Sequence, residues 1–121
     1  MLAKDLMKTS LVTLPPSEPV YKAAKLMKEH NIGSILVIDA GKLVGIFTER
    51  DLVRLVADGN PLDISIGDVM TKDLVTAKPD DPAITVICRM AEHNIRHVPV
   101  IDDEGKPVGI ISGRDVMRNL F

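Results

Sequence analysis

The sequence is nearly without aromatic residues: one tyrosine, two phenylalanines and no tryptophan make up 2% of 121 residues. Single-stranded nucleic acids are usually bound by stacking bases on aromatic side chains, so such a surface is not expected here. The formal net charge of −2, from 15 basic and 17 acidic residues, gives no broad positive field. Nucleic acid is therefore not an expected partner. The single cysteine, Cys88, excludes an internal disulfide, so packing alone must hold the fold.

Long hydrophobic runs are also missing. No segment approaches the roughly 18 apolar residues that a membrane-spanning helix needs. The N-terminus carries Lys4 and Asp5 early and lacks the apolar stretch and small-residue cleavage site of a secretory signal. We therefore expect a cytoplasmic protein with no membrane partner, folded as a single domain over residues 1–121.

What the sequence does contain is an internal repeat. Residues 5–39 match residues 68–102 at an offset of 63, with 15 identities in 35 positions. After a one-residue insertion, residues 41–56 match residues 105–120 with 8 identities in 16. Such self-similarity is the signature of one structural unit used twice. The predicted boundaries are repeat one at 5–57, a linker at 58–66 and repeat two at 67–121.

Both repeats predict the same order of elements, β-α-β-β-α. The β-branched run at residues 10–14 precedes prolines that end a strand and suit a helix start. Apolar residues then recur at helical spacing as far as Asn31 and Asn94, and asparagine tolerates the left-handed backbone that ends helices. Two apolar runs joined by a short loop with Asp and Gly predict a hairpin, and a closing helix begins near Glu49 and near Gly113.

The expected fold is therefore α+β of the α/β type, with two βαββα repeats packed about a pseudo-twofold axis through their sheets. A unit of roughly 60 residues buries only about 60% of its chain surface and is marginal alone, which favours such pairing. A pair of this kind leaves two equivalent clefts at its seam, and concave seams are where ligands usually bind.

Three segments resemble a known family. They are the strand-turn-helix opening at residues 11–19, the segment from Arg96 to Asp102, and the duplicated Gly45-Ile-Phe-Thr-Glu-Arg-Asp51 and Gly109-Ile-Ile-Ser-Gly-Arg-Asp115. In them the chain resembles the cystathionine β-synthase (CBS) domain family, as the tandem pair known as a Bateman module. The resemblance covers nearly the whole sequence. It implies a homodimeric regulatory module that binds AMP, ADP, ATP or S-adenosylmethionine and acts on a separate effector protein.

The resemblance also implies roles for single residues. A carboxylate accepts hydrogen bonds from ribose hydroxyls, and a neighbouring hydroxyl bonds ribose or phosphate. The implied ribose and phosphate contacts are Thr48, Asp51, Ser112 and Asp115. The implied adenine pocket is aliphatic and consists of Val12, Ile46, Val75 and Ile110.

Arg96 and His97 are the sharpest difference between the repeats, because Gly33 and Ser34 occupy the equivalent positions. In the family a basic pair here faces the ligand phosphates, and a charged hydrogen bond to phosphate contributes about 1.5–3 kcal/mol. The alternative is two exposed polar residues at the start of a strand. The first interpretation predicts two sites of unequal phosphate affinity.

A structural alternative exists for the ribose-contact residues as well. Thr48 with Asp51, and Ser112 with Asp115, match the capping box, in which a hydroxyl bonds a backbone N–H and an acid three residues on bonds back. The two roles are compatible, because a helix start also presents free N–H groups to an anion.

No catalytic or metal site is predicted. The histidines and Cys88 lack ligand-like spacing, and His30 and His93 suit helix ends, where they favour the terminal carbonyls. No Gly-rich phosphate loop, acid-base pair or activated nucleophile is recognisable, so we expect neither enzymatic activity nor a cofactor. The competing function is a ligand-independent dimerisation module with vestigial clefts.

Overall fold

The computed structural model describes residues 1–120 and has a mixed α/β architecture in which both predicted repeats are present. The elements of the first part of the chain are α1 (Ala3–Leu6), β1 (Thr13–Leu14), α2 (Val20–His30), β2 (Ser34–Asp39), β3 (Lys42–Thr48) and α3 (Glu49–Ala57). A 3₁₀ helix at Ile66–Asp68 precedes α4 (Ala83–His93), β4 (His97–Ile101), β5 (Pro107–Ser112) and α5 (Gly113–Leu120). No helix within residues 1–120 is long and apolar enough to cross a bilayer.

The chain divides into two compact units whose boundaries differ from those of the repeats. One unit is Val12–Leu74, and the other combines Met1–Leu11 with Val75–Phe121. We refer to them as the first-repeat unit and the second-repeat unit. The short helical segment at the beginning of each repeat therefore packs with the strands of the other repeat. We refer to these two segments, residues 1–11 and 66–74, as the lead-in segments.

In the first-repeat unit, β1 pairs in parallel with β2, and β2 pairs antiparallel with β3. Strand residues that alternate along the sheet, such as Ile35, Val37 and Phe47, turn one face toward a core. Helix α2 supplies Val20, Ala23 and Met27 to that core, and the 3₁₀ helix supplies Ile66. The amphipathic spacing predicted for α2 is thus the spacing of its buried face.

The second-repeat unit has an equivalent core of its own. It contains Val98, Val100 and Ile111 from β4 and β5, with Ala83, Val86 and Met90 from α4 and with Ala3 and Leu6 from α1. At the repeat offset of 63, Ala3 corresponds to Ile66, so the two lead-in segments fill equivalent places. Each unit thus has one hydrophobic core cluster, formed by the long helix and strands of one repeat together with the lead-in segment of the other repeat.

The predicted strand at residues 10–14 is shorter than expected, and its counterpart in repeat two is reduced to one bridge between Ala77 and Val100. In the first repeat the Leu36 N–H donates to the Val12 carbonyl at 3.3 Å. The equivalent of Leu36 is Pro99, which has no N–H to donate. The parallel ladder therefore does not extend in the second repeat, and the short first strand predicted there is present only as this bridge.

The predicted ends of the long helices are confirmed. Helices α2 and α4 begin directly after Pro19 and Pro82 and end at Asn31 and Asn94, each in the left-handed conformation with φ 52°. A left-handed residue turns the chain away from the helix axis and lets its N–H bond the last carbonyls. Both helices therefore deliver the chain in the same way to the strand that follows.

Candidate functional site

The closing helix of the first repeat starts in a capping box. The Asp51 Oδ2 accepts the Thr48 backbone N–H at 2.9 Å, and the Asp51 N–H donates to the Thr48 Oγ1 at 3.4 Å. The Thr48 hydroxyl also lies 3.3 Å from the Asp51 Oδ2. These bonds satisfy two of the backbone donors that a helix start leaves without partners.

The closing helix of the second repeat starts in the same way, with shorter bonds. The Ser112 backbone N–H and the Ser112 hydroxyl both donate to the Asp115 Oδ2, at 2.8 and 2.9 Å. The Asp115 N–H returns a bond to the Ser112 Oγ at 3.2 Å. Asp115 is only 3% exposed. The capping role weighed from the sequence is thus present in both repeats, and it engages mainly the Oδ2 oxygen of each carboxylate.

The other oxygen of each aspartate faces a lead-in segment. The Thr71 hydroxyl donates to the Asp51 Oδ1 at 3.2 Å, whereas the Lys8 ammonium lies 3.6 Å from the Asp115 Oδ1. Lys8 and Thr71 are equivalent at the repeat offset of 63. Sequence reasoning missed both residues, although their places directly after the matching Met7 and Met70 offered a signal.

Backbone pairing fixes these lead-in residues in place. The N–H and carbonyl of Lys8 bond the carbonyl and N–H of Ile110, at 2.9 and 3.0 Å. Thr71 makes the same two bonds with Ile46, at 2.9 and 3.0 Å. Directly opposite residues in such a pair project to the same side of the sheet. Lys8 therefore lies beside Ile110, and Thr71 beside Ile46.

Along each strand the site residues occupy one face. Ile46 and Thr48 alternate with Phe47, which is in the core, so both point to the opposite face. Ile110 and Ser112 flank the core residue Ile111 in the same manner. Two site clusters follow. The Asp51 site comprises Ile46, Thr48, Asp51 and Thr71, and the Asp115 site comprises Lys8, Ile110, Ser112 and Asp115.

The four residues proposed for adenine contact differ in their burial and in whether they pack against a core cluster. Val12 is partly buried and packs against the core of the first-repeat unit, with its carbonyl bonded to β2. Val75 is also partly buried but belongs to neither core cluster. Ile46 is buried and Ile110 is half-buried, and neither is part of a core cluster. Ile46 and Ile110 thus lie as aliphatic side chains within the two site clusters, Ile46 buried and Ile110 half-buried.

Arg96 and His97 lie at the start of β4, beside the start of α5. The Arg96 carbonyl accepts the Gly113 N–H at 2.8 Å, and His97 is directly opposite Ser112 in the strand pair. His97 is half-buried and its side chain projects to the same face as Ser112, while Arg96 is exposed. Within the second-repeat unit, the structure thus places this basic pair next to the Asp115 site.

A further acidic residue of the second-repeat unit is engaged structurally. The Lys78 backbone N–H donates to the Asp81 Oδ2 at 2.9 Å, and the Arg89 Nη1 does so at 3.0 Å. The first of these bonds, with support from Arg89, holds the pKa of Asp81 below its usual value, although burial acts in the opposite direction. Arg89 also donates to the Thr76 carbonyl at 2.9 Å and so ties α4 to the loop before it.

The histidine and cysteine side chains of the long helices, for which the sequence predicts neither a metal nor a catalytic role, lie at the surface. His30 and His93 are exposed and are the last residues of α2 and α4, and Cys88 is exposed on α4. Among the described residues, no three His, Cys, Asp or Glu side chains converge in a way that could hold a metal ion.

Comparison with known proteins places these features in a family. The family model of the CBS domain matches twice, over residues 3–58 and 66–121. The L-aspartate semialdehyde sulfurtransferase of Methanocaldococcus jannaschii is 35% identical over 118 residues, which are 97% of this chain. The chain spans only 23% of the length of that relative.

Two solved structures share the fold over nearly the whole chain. The CBS domain pair of protein MJ0100, in complex with 5′-methylthioadenosine and S-adenosyl-L-methionine, superposes with a TM-score of 0.93 at 34% identity and covers 100% of both chains. The CBS domain protein PAE2072 from Pyrobaculum aerophilum, complexed with AMP, gives 0.89 at 28% identity and covers 95% of this chain and 89% of that one. With its two matched repeats and this architecture, the chain belongs to the CBS domain family and forms a CBS domain pair.

Proposed function

We propose that this CBS pair is a regulatory module that binds adenosyl ligands at its Asp51 and Asp115 sites. The observation that carries the proposal is the duplicated aspartate, each beside a half-buried or buried isoleucine that belongs to neither core cluster. The ligands named for the two related structures, AMP on one and 5′-methylthioadenosine with S-adenosylmethionine on the other, share an adenosine group. That shared group is the ligand chemistry we assign here.

The chemistry of the sites suits a ribose and a purine. Each Asp retains lone pairs beyond those used by the capping box, and a ribose offers adjacent hydroxyls as donors. The Thr48 and Ser112 hydroxyls are placed at the same helix starts to bond ribose or phosphate. Ile46 and Ile110 are the aliphatic side chains assigned to the purine, which is consistent with a chain that has almost no aromatic residues.

Titration calorimetry with AMP on the wild-type chain and on Asp51→Ala and Asp115→Ala tests this proposal. We expect each variant to lose at least tenfold in affinity at one site, because a carboxylate-to-hydroxyl bond contributes about 1.5–3 kcal/mol. Each variant also loses its capping interaction, which costs about 0.5–2 kcal/mol of stability, so circular dichroism must show that it is folded.

Asp103→Ala is the matched control, because it removes a fully exposed carboxylate from the same unit as Asp115. It should bind AMP like the wild type. Folded wild-type protein that gives no heat with AMP, ATP, S-adenosylmethionine or 5′-methylthioadenosine would overturn the proposal.

We further propose that the module senses its ligand rather than converting it, and that it acts on a separate effector protein. The carboxylates of both sites hold the starts of the closing helices through capping bonds, which is a structural role that requires no chemical step. AMP recovered unchanged after long incubation with the protein would agree with this proposal. Formation of adenosine or adenine would contradict it.

A homodimer is the proposed assembly. Large apolar side chains are exposed at equivalent positions of the two repeats: Tyr21 and Ile84 on the long helices, and Val53 and Met117 on the closing helices. Exposed apolar positions that recur in both units favour a partner with the same repeated surface, which is a second copy of this chain. The same surface supports the competing proposal of a dimerisation module without a ligand, and the titration above separates the two.

A further inference from the structure

The two aspartate sites differ in the residue that each lead-in segment places over the carboxylate. Lys8 and Thr71 sit on the same two-bond backbone bridge, to Ile110 and to Ile46 respectively. Because the backbone is equivalent, the difference between the sites at this point is one side chain. A neutral hydroxyl faces Asp51, and an ammonium group faces Asp115.

Other charged neighbours do not cancel this difference. Arg54 lies 4.0 Å from Asp51, and the second repeat has Arg118 at the equivalent position of α5. Arg96 and His97 lie beside the Asp115 site, where the first repeat has Gly33 and Ser34, whereas Lys72 follows Thr71 where the other lead-in segment has Thr9. Lys72 is exposed and follows Thr71, whereas Lys8 itself contacts the Asp115 carboxylate, so the charge difference between Lys8 and Thr71 at the two carboxylates remains.

Lys8 is placed so that a ligand can reach it. Its side chain is 46% exposed, whereas that of Asp115 is almost fully buried. A lysine side chain is a flexible four-carbon stem with a point charge at its tip, so its ammonium can turn from the carboxylate toward a phosphate carried by the bound ribose. Thr71 has neither the length nor the charge for this contact.

We infer that Lys8 makes the Asp115 site selective for phosphorylated adenosyl ligands, and that Thr71 leaves the Asp51 site suited to adenosyl ligands without phosphate. This inference rests on the proposed function, because it assigns ligand classes to the same two sites. Lys8 is the specificity-determining residue, and Arg96 and His97 extend the positive surface around it. A single chain would thereby report on two classes of adenosyl compound.

The test compares AMP with 5′-methylthioadenosine, which share adenosine and differ in the phosphate. Titrations are carried out on the Asp51→Ala background, which reads the Asp115 site, with Lys8→Thr added. Lys8→Thr should weaken AMP about tenfold, the effect of losing one charged hydrogen bond, and should leave 5′-methylthioadenosine within about twofold. Thr71→Lys on the Asp115→Ala background should strengthen AMP at the Asp51 site.

Folding controls are built into the design. Lys8→Thr installs the residue that the other repeat already has on this bridge, and Lys8→Arg keeps the charge and should keep the AMP preference. Lys4→Thr removes the same charge from the same segment, at a residue paired with Asp80 at 3.1 Å, and should change neither affinity.

The outcomes separate this inference from the proposed function. Equal weakening of both ligands by Lys8→Thr, or no weakening of AMP, overturns the inference while the proposed function stands. Wild-type protein that binds neither ligand overturns both. A selective loss of AMP affinity, rescued by Lys8→Arg, supports the inference.

Discussion

At the scale of single residues, one side chain serves several purposes. Asp51 and Asp115 cap helices and are also the proposed ribose ligands, so the capping box does not argue against a binding role. The ribose role is implied by the resemblance to the CBS family, whereas the sequence itself predicted the capping role from an acid three residues after a hydroxyl. The sequence could not predict Lys8 or Thr71, since their contact with the aspartates depends on a distant pairing of backbone segments.

Asp81 gives the residue-scale prediction for pH dependence. A carboxyl group whose pKa is depressed in the folded state adds stability above its usual pKa of 3.8 and loses it as the pH falls below that value. Asp81→Asn should therefore reduce the free energy of unfolding near neutral pH, and this difference from the wild type should shrink as the pH falls below about 4. Urea denaturation at a series of pH values measures it.

Asp80→Asn is the control for that experiment, because it removes the neighbouring, well-exposed carboxylate of a surface ion pair. Such pairs contribute about 0–1 kcal/mol, so its effect should be small. An Asp81→Asn deficit that stays constant down to the acid limit would contradict the assignment.

At the scale of elements, the long helices and hairpins are largely local events. Proline at the start and asparagine at the end bracket α2 and α4, and the periodic apolar positions between them are the ones that are buried. Residues Ala40 and Gly41 both have positive φ in the tight turn between β2 and β3, in agreement with the Asp-Ala-Gly signal. These features were predictable from the sequence because neighbours along the chain determine them.

The packing of each lead-in segment against the strands of the other repeat was not predictable in the same way. Helical segments of three or four residues have too few apolar positions to indicate which of the two cores they join. The methionines that follow them, Met7 and Met70, would fit either core. The structure resolves this point through close approaches: a Cβ added at Gly109 would meet the Met7 side chain, and one added at Gly45 would meet Met70. The loss of parallel hydrogen bonding at Pro99 can likewise be recognised only when the strand pairing is known.

Gly109→Ala tests this packing of α1 and its following residues on β5. The added Cβ would lie 2.7 Å from the Met7 Cγ, so we expect a loss of about 1–3 kcal/mol of unfolding free energy through overpacking. The loss should be smaller in a Met7→Ala background, as a double-mutant cycle by chemical denaturation would show. Gly113→Ala is the matched control, because no heavy atom lies within 4 Å of its added Cβ. Equal changes in unfolding free energy for Gly109→Ala and Gly113→Ala would contradict the packing of the Met7 lead-in segment on β5.

At the scale of the whole molecule, the two repeats have equivalent hydrophobic cores but different charged residues around their proposed sites. Repeated exposed apolar positions predict that the chain associates with a second copy. Val53→Glu or Met117→Glu should shift the sedimentation mass from dimer to monomer, because a charge would be buried in the interface. Asp103→Lys, a charge reversal at a fully exposed residue between β4 and β5, should leave the mass unchanged. A wild-type chain that sediments as a monomer at all concentrations would rule out the dimer.

The most direct test of the account is a crystal structure of this chain grown with AMP. We predict an AMP whose ribose hydroxyls lie within hydrogen-bond distance of the Asp115 carboxylate, with the purine against Ile110 and the phosphate on the side of Lys8. AMP bound with its ribose away from both Asp51 and Asp115, or no AMP at saturating concentration, would contradict the proposal that the duplicated aspartates hold adenosyl ligands.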